Sequence, residues 1–259
     1  MNGKLIGVSL GPGDPGLITR RAWEALQRGD VHWCYPVRRH GDGSYALDIV
    51  RRAGLSPPED ATPLVFPMTH DPEILARYRR QAAQAVVEQL RSGRDVLFLV
   101  EGDASTYSTF RHLAQAVAAI DTTIAVETIA GVSAYQAAAA RLGLVLAEAD
   151  ETFAVLPAGY GVATVARLLD AFDTLVLLKV KPLLDELIAL LEDRRLLAHA
   201  CFVERLGTPQ ERIVRDLTRL KGEKVHYLSL LIVRNPHRAR PAALQQGYRK
   251  KARREEVGP

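Results

Sequence analysis

Two cysteines, two methionines and two tryptophans are all that 259 residues carry of those types, and aromatic side chains make up 6% of the chain. Cys34 and Cys201 stand far apart, without C-x-x-C spacing. That excludes a disulfide-built scaffold and a cysteine-rich metal module; both are read as reduced thiols packed as small hydrophobes. No His, Cys or acidic residues fall at ligand spacing, so no intrinsic metal is expected. No apolar run approaches the roughly 20 residues of a membrane span. Met1-Asn2-Gly3-Lys4 leads straight into a strand without a signal-peptide core, so a cytoplasmic chain that does not enter a membrane is expected. Much of the net charge of +4 sits in a basic tail, residues 238–259, with Lys250-Lys251-Ala252-Arg253-Arg254 at its heart. No aromatic-interleaved platform accompanies it, so no nucleic-acid partner is expected and the tail is read as solvated.

What the chain does have is 47% hydrophobic and 25% charged residues, a globular balance, and enough length for two domains. Leu5-Ile6-Gly7-Val8 gives way to Gly11-Pro12-Gly13-Asp14-Pro15-Gly16, a turn where glycines permit positive φ and prolines fix it. Taken literally, Gly11, Gly13 and Gly16 spell G-x-G-x-x-G, and Arg38 and Arg39 suit a 2′-phosphate. An NADP-binding oxidoreductase is therefore an alternative reading. Against it, Pro12 and Pro15 have no amide to offer a pyrophosphate.

Strand, glycine-bearing loop and helix then recur. Asp95 to Val100 is a continuous apolar run of the kind found in a central parallel strand, and it ends in Glu101-Gly102-Asp103. A strand over Thr123–Glu127 ends in Ala130-Gly131-Val132-Ser133 before an alanine-rich helix. A second series begins near Thr152, and the runs Glu211–Val214 and Val225–Arg234, with no helix expected between them, suggest antiparallel pairing at one end of a mixed sheet. The expected fold class is α/β, as two α/β domains with mixed sheets and a ligand cleft between them. The expected boundaries are 1–147, 148–237 and the tail.

Gly-Pro-Gly-Asp-Pro at 11–15, Glu101-Gly102-Asp103 and Ala130-Gly131-Val132-Ser133 together resemble the three loops of the tetrapyrrole (corrin and porphyrin) methylases. Ala104 and Ala130 stand where that pattern commonly has proline. The segments Tyr35-Pro36, Gly43 to Asp48, Phe66 to Thr69 and Tyr107-Ser108-Thr109-Phe110 are similar to the branch that methylates precorrin-2 at C-20. The resemblance implies S-adenosyl-L-methionine as methyl donor, S-adenosyl-L-homocysteine as product, a small-molecule tetrapyrrole substrate and a homodimer. It implies a cofactor site of Pro12, Gly102, Asp103, Thr106, Ser133 and Ala134, with Pro157, Ala158 and Lys179 holding adenine. Asp103 and Ser133 equally suit helix caps.

A substrate with eight carboxylates calls for cations, and guanidinium holds carboxylate in a fork. Arg38 and Arg39 are the first candidates, with Tyr107, Ser108 and His112 as further substrate contacts. Glu101 and Tyr107 are the candidates for a catalytic role, Glu101 as acceptor of the proton displaced by methylation.

Overall fold

The computed structural model describes residues 2–239. The tail from residue 240 onward lies outside the described residues. Two compact units emerge: one holds the described residues through Arg141 together with Arg205–Arg212, the other Leu142–Glu204 and the described residues from Ile213. The division between the units falls after Arg141 and returns residues 205–212 to the first unit. The reason is a loop-to-loop contact described below.

In the first unit β1 (Leu5–Ser9) leads through α1 (Arg20–Leu26) to β2 (Val31–Val37), and α2 (Tyr45–Arg52) leads to β3 (Thr62–Val65). Next come α3 (Pro72–Arg91), β4 (Asp95–Val100), α4 (Phe110–Ile120), β5 (Val126–Ile129) and α5 (Ala134–Leu142). The sheet order is β3-β2-β4-β1-β5, and every pair is parallel. Alternate residues of the central strands face opposite ways, so one sequence feeds two cores. Ile6, Val8, Leu97 and Leu99 pack on α1 and α2, while Leu5, Val96 and Phe98 pack on α3 and α4.

That division fixes where loops gather. The connections leaving the neighbours β1 and β4 run to opposite faces and opposite edges of the sheet, a switch point, where open α/β sheets bind ligands. β5 starts at Val126, later than the Thr123 expected. Asp121 captures the Thr123 amide and hydroxyl at 3.1 and 2.6 Å, so residues 121–124 turn before the strand begins.

The second unit runs β6 (Phe153–Pro157), α6 (Val162–Ala171), β7 (Thr174–Leu178), α7 (Leu184–Asp193), β8 (Ala200–Glu204), β9 (Arg212–Val214, its first residue counted with the first unit) and β10 (Ser229–Arg234). Its sheet order is β6-β7-β10-β8-β9. β6 and β7 are parallel, whereas β10 is antiparallel to both β7 and β8. The antiparallel strand is therefore central rather than terminal, and a short 3-10 turn, Leu217–Leu220, precedes it. Val165, Leu169, Leu187, Ile188 and Leu191 of α6 and α7 bury themselves against Leu175, Leu177, Phe202 and Leu231. Among the described residues no helix is long and apolar enough to cross a membrane.

Candidate functional site

The three glycine loops of the first unit are fastened to one another. Gly11 and Gly102 exchange both backbone hydrogen bonds, N–H to O at 3.2 Å one way and 2.7 Å the other, in an isolated antiparallel bridge just past β1 and β4. Both residues have positive φ, +76° and +74°. The Ser9 hydroxyl accepts from the Ala104 amide at 2.9 Å. Asp103, only 8% exposed, closes the set. One carboxylate oxygen accepts from the Gly131 amide at 2.8 Å; the other accepts from the Ser105 amide at 3.0 Å, from the Ser105 hydroxyl and, at 3.4 Å, from the Thr106 hydroxyl. Burial pushes this carboxyl up, but the hydrogen bonds from Ser105, Gly131 and Thr106 outweigh it and hold it below the usual carboxylate range.

Asp103 is therefore a tie between two loops rather than a cap on α4, whose N-cap is Thr109; just before it the Ser108 oxygen accepts from the Phe110 amide at 2.9 Å. Ser133 is a cap residue at the start of α5: Gln136 reaches back to its amide at 3.3 Å, half of a capping box. Gly131 has no room for a side chain. A Cβ there would lie 2.4 Å from the Ser9 Cβ and 2.9 Å from the Gly102 carbonyl. Gly131→Ala is expected to push the loops apart and destabilise the protein by about 1–3 kcal/mol, measured by urea unfolding; an unchanged midpoint would show that the loops are not held in this register.

The first loop is pinned from a second side. A Cβ on Gly13 would sit 2.1 Å from the Leu206 carbonyl, and one on Gly207 2.3 Å from the Asp14 amide. Arg52 at the end of α2 donates to the Gly13 carbonyl at 2.6 Å, the Gly207 carbonyl at 3.2 Å and Asp48 at 2.8 Å. Pro12 is buried in this loop. The dinucleotide alternative finds no support in it: the Gly11 amide is taken by Gly102 and the Gly16 amide by Asp14 at 2.8 Å, so two of the three fingerprint glycines have no donor to spare for a pyrophosphate.

Glu101, half-buried at the end of β4, precedes Gly102. Burial pushes its carboxyl up to about 7, against the opposing pull of the Arg38 charge from the end of neighbouring β2. Arg38 and Arg39 are exposed in the loop after β2. Tyr107 is 52% exposed and holds φ 51°, a left-handed conformation uncommon outside glycine and frequent at functional sites. His112 lies exposed on α4; partial burial, with the charges of Arg79 and Arg111, lowers its pKa and favours the neutral ring.

In the second unit, Pro157 ends β6 beside Leu178 of β7, so Pro157-Ala158 and Lys179 share one strand edge. Ala158 is fully buried. Lys179 has φ 57°, its amide donates to the Ser229 carbonyl at 2.9 Å, and its ammonium lies 6.0 Å from the centre of the Tyr227 ring. The buried Ser229 hydroxyl finds no partner among the described residues. At the opposite edge, Glu151, Asp173, His199, Arg234 and Arg238 line a cavity of about 340 Å³. Its charges are spent on ion pairs, Arg234 with Glu151 and Arg238 with Asp173, and it includes no residue expected in the site. Arg238, counted with the tail from sequence, is thus anchored.

The sequence reading missed Arg52 and the 205–208 turn. No local signal marks them, because Arg52 meets carbonyls 39 and 155 residues away.

Residues 4–220 match the family model described as Tetrapyrrole (Corrin/Porphyrin) Methylases. The chain is 32% identical over 234 residues to a cobalt-precorrin-2 C(20)-methyltransferase of Salmonella typhimurium, covering 90% of this chain and 97% of that one. It is 30% identical over 240 residues to a precorrin-2 C(20)-methyltransferase of Sinorhizobium, covering 89% and 95%. Among solved structures, the methyltransferase CobJ superposes with a TM-score of 0.63 at 18% identity, covering 92% of this chain and 97% of that one. A uroporphyrin-III C-methyl transferase from Thermus thermophilus, complexed with S-adenyl homocysteine, superposes with a TM-score of 0.61 at 23% identity, covering 90% and 98%.

Proposed function

The chain belongs to the tetrapyrrole (corrin/porphyrin) methylase family, and from that premise we propose that it moves the methyl group of S-adenosyl-L-methionine to C-20 of precorrin-2 or its cobalt complex, in cobalamin biosynthesis. The observation that supports this best is the joined set of loops, Gly11 bridged to Gly102 and Asp103 tied to Gly131, at the switch point of a parallel sheet. The names of relatives about 30% identical over nine-tenths of the chain point to the same position of methylation.

The residues fit a methyl donor. At Gly102 no atom stands within 4 Å of where a Cβ would be, so a ligand has room to approach the backbone there. Pro12, Gly102, Asp103 and Thr106 are assigned to its amino-acid part and Ser133 and Ala134 to the region beside it. In the second unit, Pro157, Ala158 and Lys179 are assigned to adenine through backbone contacts.

The donor supplies an electrophilic methyl on a sulfonium. A meso carbon flanked by electron-rich pyrrole-derived rings is already a nucleophile, so the protein's task is orientation and exclusion of water. The new bond joins C-20 to the methyl carbon, the methyl–sulfur bond breaks to leave S-adenosyl-L-homocysteine, and the C-20 proton departs. Glu101 receives that proton. Arg38 and Arg39 hold carboxylates of the rim, with Tyr107, Ser108 and His112 as further contacts. A cytoplasmic homodimer completes the proposal.

Calorimetric titration with S-adenosyl-L-homocysteine and, in parallel, NADPH tests it. Saturable binding of the former alone is expected; binding of NADPH alone would replace this reading by the oxidoreductase one.

A further inference from the structure

We propose that Arg205 is a carboxylate-binding residue, its guanidinium kept unpaired for a carboxylate of one of the two reactants. The proposal deepens the functional reading above and rests on it for the identity of those reactants. Arg205 holds φ 50°, in the left-handed region that non-glycine residues adopt at a cost of about 1 kcal/mol or more. Its surroundings enforce that conformation. The Thr208 amide and hydroxyl both donate to the Arg205 carbonyl, at 3.1 and 2.8 Å. Gly207, itself at φ +72°, donates to Glu211 at 2.8 Å, and Glu211 is paired with Arg141 at 2.9 Å. Arg52 holds the Gly207 carbonyl from the other side, and the Leu206 carbonyl packs on Gly13 where no Cβ fits.

So much fixation of one short turn leaves a conspicuous remainder. The Arg205 Nε is buried and has no hydrogen-bond partner among the described residues. A buried donor without an acceptor destabilises the protein that carries it. Arg52 of α2 and Arg141 of α5, the two arginines that hold this turn, are both engaged. A planar fork of donors matches a carboxylate above other groups, and the turn lies flush against Gly13 and Asp14, in the loop whose Pro12 is assigned to the methyl donor. Two carboxylate sources meet that chemistry: the methionyl carboxylate of the methyl donor and the acetate or propionate arms of the tetrapyrrole.

The test compares wild type, Arg205→Gln and Arg205→Lys in three measurements: S-adenosyl-L-homocysteine titration, KM for the tetrapyrrole, and melting temperature without ligand. Arg205→Gln is expected to weaken one reactant roughly 10- to 100-fold while the melting temperature holds or rises, since no native partner is lost. Arg205→Lys recovers part of the affinity. Weaker S-adenosyl-L-homocysteine binding identifies the donor's carboxylate; a raised KM with unchanged S-adenosyl-L-homocysteine binding identifies the tetrapyrrole's. Unchanged binding of both in an active protein overturns the proposal, as does a fall in melting temperature that accompanies the loss of binding. Wild type that binds neither reactant removes the functional reading, and this proposal with it.

Discussion

Glu101→Gln is expected to lower kcat by about 100-fold or more and to abolish the rise of rate through neutral pH. Burial holds the carboxyl near 7 against Arg38, so in the wild type the ionised, proton-accepting form grows in as pH rises through about 7. The glutamine variant keeps the shape, accepts no proton and gives a flat profile. Arg38→Gln removes the charge that opposes the upward shift, so its inflection moves to higher pH. A pH–rate series on the three proteins checks both statements. An Arg38→Gln inflection that moves down in pH would show that Glu101 is not the titrating group.

The same carboxyl ties activity to stability. Its folded pKa of about 7 lies above the ordinary 4.5, so the unfolded chain ionises first and the wild type loses stability as pH climbs from 4.5 through 7. Glu101→Gln lacks this loss, and its melting temperature relative to wild type is higher at about pH 8 than at about pH 5.

Asp103→Asn is the second substitution with a large expected effect. The native carboxylate only accepts, from two amides and two hydroxyls. With the new NH2 toward the Gly131 amide the tie between the two loops is lost; turned the other way it faces the Ser105 amide, and that bond is lost instead. A loss of about 2–3 kcal/mol is expected in urea unfolding, together with at least a tenfold weaker hold on S-adenosyl-L-homocysteine, because Gly102 and Gly131 no longer keep their register. The Asp103 contribution is present above the ordinary carboxylate pKa and fades as pH falls through its lowered folded value. The wild-type advantage over Asp103→Asn should therefore shrink in acid. An advantage that grows in acid would contradict the tie.

Local chemistry made the three loops of the first unit legible. Gly11, Gly102 and Gly131 punctuate strand ends, and an apolar run such as Asp95–Val100 that faces two cores leaves little choice but a central parallel strand. The start of β5 was misplaced because a β-branched run at Thr122-Thr123-Ile124 looks like strand until Asp121 captures the Thr123 amide. The central place of β10 was not legible, since pairing order is set by contacts between residues far apart in sequence, such as Leu231 with Leu177 on one side and Phe202 on the other. For the same reason neither Arg52 nor Arg205 carries a local signal: Arg52 gains its meaning from carbonyls of Gly13 and Gly207, and Arg205 from an Nε that has no partner among the described residues.

The most direct test of the central claim is to incubate the protein with precorrin-2 and S-adenosyl-L-methionine carrying a 13C-labelled methyl, then read the product by carbon NMR and mass. One labelled methyl on C-20, with release of S-adenosyl-L-homocysteine, is the predicted result. A label on any other carbon, or none while S-adenosyl-L-homocysteine still binds, would contradict it.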